Sequence, residues 1–152
     1  MTDNQQAAVG FNLEKIYVKD ISYEAPNTPQ VFLDKAAPEV GIQLGIEHRT
    51  LEAKDGIYEV TLLVTATAKI KEQTVFLAEA KQAGIFRITG IPATEMPKVL
   101  EISCPGILLP FVREVINELV TKGGFPPLLI NPINFEALFQ QKQTAGATKI
   151  QH

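Results

Sequence analysis

From Tyr58 to Ile70 the chain alternates almost throughout: Tyr58, Val60, Leu62, Val64, Ala66, Ala68 and Ile70 fall on one side, and Glu59, Thr61, Thr65, Thr67 and Lys69 on the other. Successive side chains of a strand point to opposite faces, so this segment predicts a half-buried strand with one apolar face. One strand cannot bury that face alone. It needs neighbouring strands and a covering layer, and the rest of the chain must supply both.

Three further segments supply the strands. Phe11 to Glu24 reads as a first strand, with Phe11, Leu13, Tyr17, Ile21 and Tyr23 on one side and Ile16 and Val18 interrupting the polarity of the other. Asp20, Ser22 and Glu24 share a face there, opposite Ile21 and Tyr23. Val40, Ile42, Leu44 and Ile46 alternate with Gly41, Gln43, Gly45 and Glu47 in a second strand, which ends before an Asp55-Gly56 turn. After the Lys71-Glu72-Gln73 turn, Thr74 to Thr89 reads as a fourth strand, bent or bulged near Gly84. Short turns join strands two, three and four, whereas a long connection carrying Pro26, Pro29 and Pro38 separates strand one from strand two. That is Greek-key connectivity, an antiparallel sheet in the order 2-3-4-1 with strand one at an edge. An edge has to be covered, charged or paired.

The second half supplies the cover. Thr94 can cap a short helix through Ser103, with Pro97 in its first turn. A stronger helix runs from about Gly106 to Lys122, where Leu108, Phe111 or Val112, Val115 and Leu119 keep helical spacing; Pro110 should kink it or delay its start, and Gly123-Gly124 stop it. Asn134 caps a last helix, Phe135 to about Gln143. Strands first and helices after make an α+β fold with the helices packed on one face of a four-stranded sheet. Residues 11–143 form one domain; 1–10 and 144–152 are expected to be disordered.

Composition limits what this domain can do. A net charge of -3 with scattered basic residues argues against a nucleic-acid surface. Cys104, the only cysteine, sits in an apolar stretch and reads as a buried small hydrophobe, which fits a reducing, cytoplasmic setting. The first residues lack a signal peptide's pattern, and no apolar run is long enough to cross a bilayer. No phosphate-binding loop, metal spacing or nucleophile elbow occurs, and His48 and His152 are isolated, so neither an enzyme nor a cofactor site is expected. What stands out is apolar surface beyond one core's needs: Val40, Ile42, Leu44 and Ile46, then Ile107, Leu108, Leu109 and the FPPLLI segment at 125–130. These residues are either core and subunit interface or an open groove for unfolded chains.

The segments IYVKDISYEAPNTPQVF, YEVTLLVTATA, FLAEAKQAGIFRITG and CPGILLPFVREVINELVTKGGFPPLLINPINFEALF, with the turns between them, resemble the SecB family of bacterial protein-export chaperones from Phe11 to Phe139. The resemblance implies a cytosolic holdase without ATPase activity that binds unfolded preproteins and hands them to SecA. It implies a homotetramer, a dimer of dimers. The family's client grooves match Val40, Ile42 and Leu44, with the Pro-containing connection and the long helix as further walls; its contact with the zinc-bearing C-terminal tail of SecA matches Asp20, Glu24, Leu77 and Glu79. Assembly positions match Ala78, Ala80 and Gln82, small or polar residues that read equally well as tight sheet packing, and Val18 is the edge-strand position expected to pair with a second copy. Relatives place Trp in the connection before the second strand, where this chain has Ala36-Ala37. Two other readings stand beside export: a SecB-like chaperone guarding an antitoxin, and a hot-dog-type enzyme, which would need a sealed acyl tunnel with a helix-borne carboxylate or histidine.

Overall fold

The computed structural model describes residues 8–151. Most of the segment expected to be disordered at the N-terminus, 1–7, lies outside the described residues, but Gly10 already pairs with Thr89. The sheet contains β1 (Gly10–Glu24), β2 (Glu39–Glu52), β3 (Ile57–Ile70) and β4 (Gln73–Thr89), all antiparallel, in the order β1-β4-β3-β2. This is the predicted 2-3-4-1 arrangement, with β1 and β2 as its two edges. Each tight turn has its own device. Gly56 takes φ +68, and a Cβ there would meet the Ile88 carbonyl oxygen at 2.3 Å; Lys71 adopts φ 55 between β3 and β4.

The register corrects the reading of two strands. β1 is interrupted between Leu13 and Lys15 and again between Val18 and Asp20, so two residues are extra with respect to β4. Each bulge shifts the alternation by one. Phe11, Leu13, Ile16, Val18, Ile21 and Tyr23 therefore all stand on the same side, opposite Ile88, Phe86, Gly84, Gln82, Ala80 and Ala78. Tyr17, assigned to that side by simple alternation, lies on the other. In β4 the ladder is continuous at Gly84, and the extra residue is Val75 near the turn. Gly84 marks a close approach instead: a Cβ there would lie 3.2 Å from both Leu108 Cδ2 and Leu13 Cδ1.

The helices cover one face of this sheet. Helix α1 (Met96–Lys98), a π-helical turn (Val99–Ser103) and helix α2 (Cys104–Lys122) form one uninterrupted run rather than the expected pair. The wide turn ends just before Pro105, whose missing N–H cannot close an ordinary helical bond. Pro110 lies inside α2 rather than at its start. Helix α2 packs on β3 and β4 through Cys104, Leu108, Val112, Ile116 and Val120, spaced by four and almost wholly buried. Beneath them Val60, Leu62, Val64, Ala66, Ala68, Ala78 and Ala80 fill the core. Ile116 and Val120 belong to that stripe although only their neighbours Val115 and Leu119 were singled out from the sequence. Leu108, Leu109 and Ile130 are core, while Leu129 is exposed.

Helix α3 runs from Phe135 to Gln151, well past the end expected at Gln143. Asn134 caps it, its Oδ1 accepting from the Ala137 N–H at 2.9 Å. The tail sequence contains no proline, and a single internal glycine, Gly146, weakens a helix by only about 1 kcal/mol. Among the described residues no helix is long and apolar enough to cross a membrane.

Candidate functional site

Three surfaces stand apart from the core. The first begins on β2, an edge strand. Val40, Ile42, Leu44 and Ile46 pair with Ala68, Ala66, Val64 and Leu62, which puts all four on the helix-facing side of the sheet. The cover is incomplete there: Val40 remains 43% and Ile42 37% exposed, and Leu44 and Ile46 are half-buried. Ile42, Leu44, Gly45 and Ile46 line a groove of about 600 Å³ whose opposite wall is Leu138, Gln141 and Lys142 of α3. Val40 continues the apolar row but lies outside that lining. The α3 wall escaped the sequence reading, although Leu138 and Lys142 carry the spacing of one helix face.

Glu101, on the π-helical turn, ties β2 to α3. Its Oε1 accepts from Lys142 Nζ at 2.9 Å, and its Oε2 lies 3.1 Å from His48 Nε2. Burial pushes the Glu101 carboxyl up, but the hydrogen bonds from Lys142 and His48 and the Lys142 charge outweigh it, leaving the pKa below the ordinary carboxylate value. A depressed pKa stabilises the fold above the unfolded value and loses that contribution as pH falls through the folded one. Glu101→Gln is therefore expected to lose about 0.5–1 kcal/mol at pH 7, with Lys142 largely exposed and screened. Urea unfolding at pH 7 and pH 3 should show the deficit shrinking on acidification; an equal deficit at both would exclude an ionic origin.

The second surface lies on the opposite face of the sheet, away from the helices. Asp20 stands opposite Lys81, Ser22 opposite Glu79 and Glu24 opposite Leu77, so the structure brings Asp20, Glu24, Leu77 and Glu79 onto adjoining positions of one face. Asp20 and Glu24 are exposed; Leu77 and Glu79 are half-buried. Glu79 Oε2 accepts from Thr65 Oγ1 at 2.7 Å, which holds its carboxylate on the sheet.

The third surface is the β1 edge. Phe11, Leu13, Val18 and Ile21, brought to one side by the bulges, are each 37–46% exposed. Val18 stands opposite Gln82, while Ala80 and Ala78 lie further along β4 in the same row. Gln82, Ala80 and Ala78 are buried, and Gln82 Nε2 donates to the Tyr17 carbonyl at 3.1 Å. Within one chain these three are packing residues, and only Val18 is open.

Cys104 has no exposed surface, and burial pushes its thiol up to about 12, which leaves it protonated and inert as a nucleophile at neutral pH.

Comparison with known proteins gives this geometry a context. The family described as "Preprotein translocase subunit SecB" matches residues 4–146. The "Protein-export protein SecB" of Chromobacterium violaceum is 50% identical over 147 residues, 97% of each chain. That of Thiobacillus denitrificans is 48% identical over 145 residues, 95% of this chain and 93% of its own. Among solved structures, a Mycobacterium tuberculosis SecB-like chaperone in complex with an antitoxin peptide aligns with TM-score 0.68 at 14% identity, covering 81% of this chain and 90% of that one. The last likeness concerns the fold alone. The family match and the two near-half-identical relatives each span almost the whole chain: this protein belongs to the SecB family of protein-export chaperones.

Proposed function

We propose that the chain is an ATP-independent holdase of the cytoplasm, which binds unfolded preproteins along Val40, Ile42 and Leu44 and passes them to SecA. The observation that carries this reading is the open apolar row on β2, which runs into the groove walled by α3. Exposed apolar rows with one uncovered side suit extended chains, whose side chains alternate as the sheet's do. The exposed β1 row supports self-association of this edge through Val18, with Ala78, Ala80 and Gln82 setting the close packing beneath it, and a homotetrameric assembly by dimerisation of dimers. Guarding an antitoxin is the weaker reading, because the relatives that share about half their residues with this chain are protein-export proteins.

Asp20, Glu24 and Glu79, with Leu77 among them, are the surface proposed for the zinc-bearing tail of SecA. Acidic side chains fixed on strands complement a basic tail, and they act as a cluster since single exposed pairs contribute little. The double variant Asp20→Lys/Glu79→Lys is expected to reduce tail binding by about tenfold or more, roughly 1.4 kcal/mol, while client holding is retained. Titration of the zinc-loaded tail peptide and a client aggregation assay, run side by side, decide it. Retention of both activities would dismiss the site; loss of both would point to damage to the fold.

A further inference from the structure

The direction in which Asp20 points depends on the second bulge of β1. Val18 faces Gln82 and Asp20 faces Lys81, which leaves Lys19 without a partner on β4. Continuing the ladder past Val18 without the extra residue would set Lys19 against Lys81, Asp20 against the buried Ala80 and Ile21 against Glu79. That register opposes like charges, buries a carboxylate and exposes an isoleucine. The apolar pattern thus requires one extra residue between Val18 and Ile21, yet it is indifferent to whether Lys19 or Asp20 takes that place.

Cross-strand charge favours Lys19 in that place, since it sets Asp20 rather than Lys19 against Lys81, and Glu59 adds to the preference. Glu59 stands on β3 between Arg49 of β2 and Ile85 of β4, only 6% exposed. Its Oε1 accepts from Arg49 Nε at 3.0 Å and from Lys19 Nζ at 3.3 Å, and its Oε2 accepts from the Tyr17 hydroxyl at 2.5 Å. One buried carboxylate therefore holds a residue just before the bulge, the bulged residue itself and an arginine on the far edge. Tyr17 and Arg49 stay within reach wherever the bulge sits, so only the Lys19 donor depends on it, and withdrawing that cation from a buried carboxylate costs enough to favour the conformer in which Lys19 reaches it. We propose that Glu59 is a positioning residue that sets the β1 bulge at Lys19 and thereby stands Asp20 outward beside Glu79. The functional consequence rests on the SecA reading of the acidic patch; the placement of the bulge does not.

The test uses the full-length protein with Glu59→Gln, Lys19→Met and Lys19→Arg, and reads two quantities: the cross-strand nuclear Overhauser contact between Asp20 and Lys81, and affinity for the zinc-loaded tail peptide. Lys19 is 39% exposed, so its variants should fold even where Glu59→Gln does not. Expected is an undivided Asp20–Lys81 contact in the wild type and Lys19→Arg. In Glu59→Gln and Lys19→Met the contact should split or give way to one between residue 19 and Lys81, with tail binding about fivefold weaker. An undivided Asp20–Lys81 contact in Lys19→Met, or in a folded Glu59→Gln, overturns the proposal. Failure of the wild type to bind the tail would remove the SecA reading, while the cross-strand contact would still decide where the bulge is set.

Discussion

Replacing Val40, Ile42 and Leu44 together by Ser is expected to weaken binding of an unfolded preprotein by about tenfold or more, because each apolar side chain withdrawn from water on binding contributes on the order of 1.5–3 kcal/mol when fully covered. Val40 and Ile42 are only partly covered in the free chain and belong neither to the core nor to the residues packed against it, so their replacement should leave the fold intact. Leu44 is half-buried and packs against the core; its truncation should lower stability by about 1–2 kcal/mol. The double variant Val40→Ser/Ile42→Ser therefore separates the two effects. It should lose much of the holding activity with an unchanged urea midpoint. One such surface supplies only a few kcal/mol, so tight holding requires a long client to engage several surfaces at once, and short peptides should bind far more weakly than whole unfolded chains.

Gly123→Ala is expected to destabilise the chain by about 1–3 kcal/mol through overpacking. Gly123 and Gly124 read together in the sequence as a helix stop, but they act by different means. Gly124 takes φ +89, which only glycine adopts without strain. Gly123 has φ -77, open to any residue, and is instead limited by space. A Cβ there would sit 1.8 Å from Tyr23 Oη and 2.5 Å from its Cζ. The Tyr23 ring has little room to retreat, since it stacks on Phe76, which meets Phe125, which meets Phe32 within the Pro-containing connection. Adding Tyr23→Phe removes the nearest atom and should recover part of the loss. Urea unfolding of the three variants measures it; a change within about 0.5 kcal/mol for Gly123→Ala would mean that this aromatic row is softer than its geometry implies.

Much of the architecture was legible because period-two and period-four spacing report directly on burial. Val60, Leu62, Val64, Ala66 and Ala68 announce a strand whose inner face is filled, and short turns against one long connection lead to the strand order. The phase of β1 was not legible. A bulge adds one residue without a residue type to mark it, so Ile16 and Val18 look like lapses in polarity when they stand on the helix-facing side. Glu59 was hidden for a related reason: on a strand it reads as one more solvent-facing acid, and the donors that hold it, Tyr17, Lys19 and Arg49, stand on neighbouring parts of other strands. The groove was half legible. Its β2 floor follows from alternation, whereas its α3 wall depends on a helix packing against the π-helical turn, where Glu101 joins His48 to Lys142. The acidic patch fared best, since Asp20 and Glu24 lie beyond both bulges and Leu77 and Glu79 beyond Val75, so alternation holds across both segments.

On this reading the chain holds unfolded proteins on its β2 row without using nucleotide. The most direct measurement is aggregation of a chemically unfolded preprotein diluted into buffer containing the purified chain, with ATP absent, alongside Val40→Ser/Ile42→Ser. Dose-dependent suppression by the wild type and its loss in the variant are expected. Suppression by the variant equal to that of the wild type, or no suppression at any ratio, would contradict this reading.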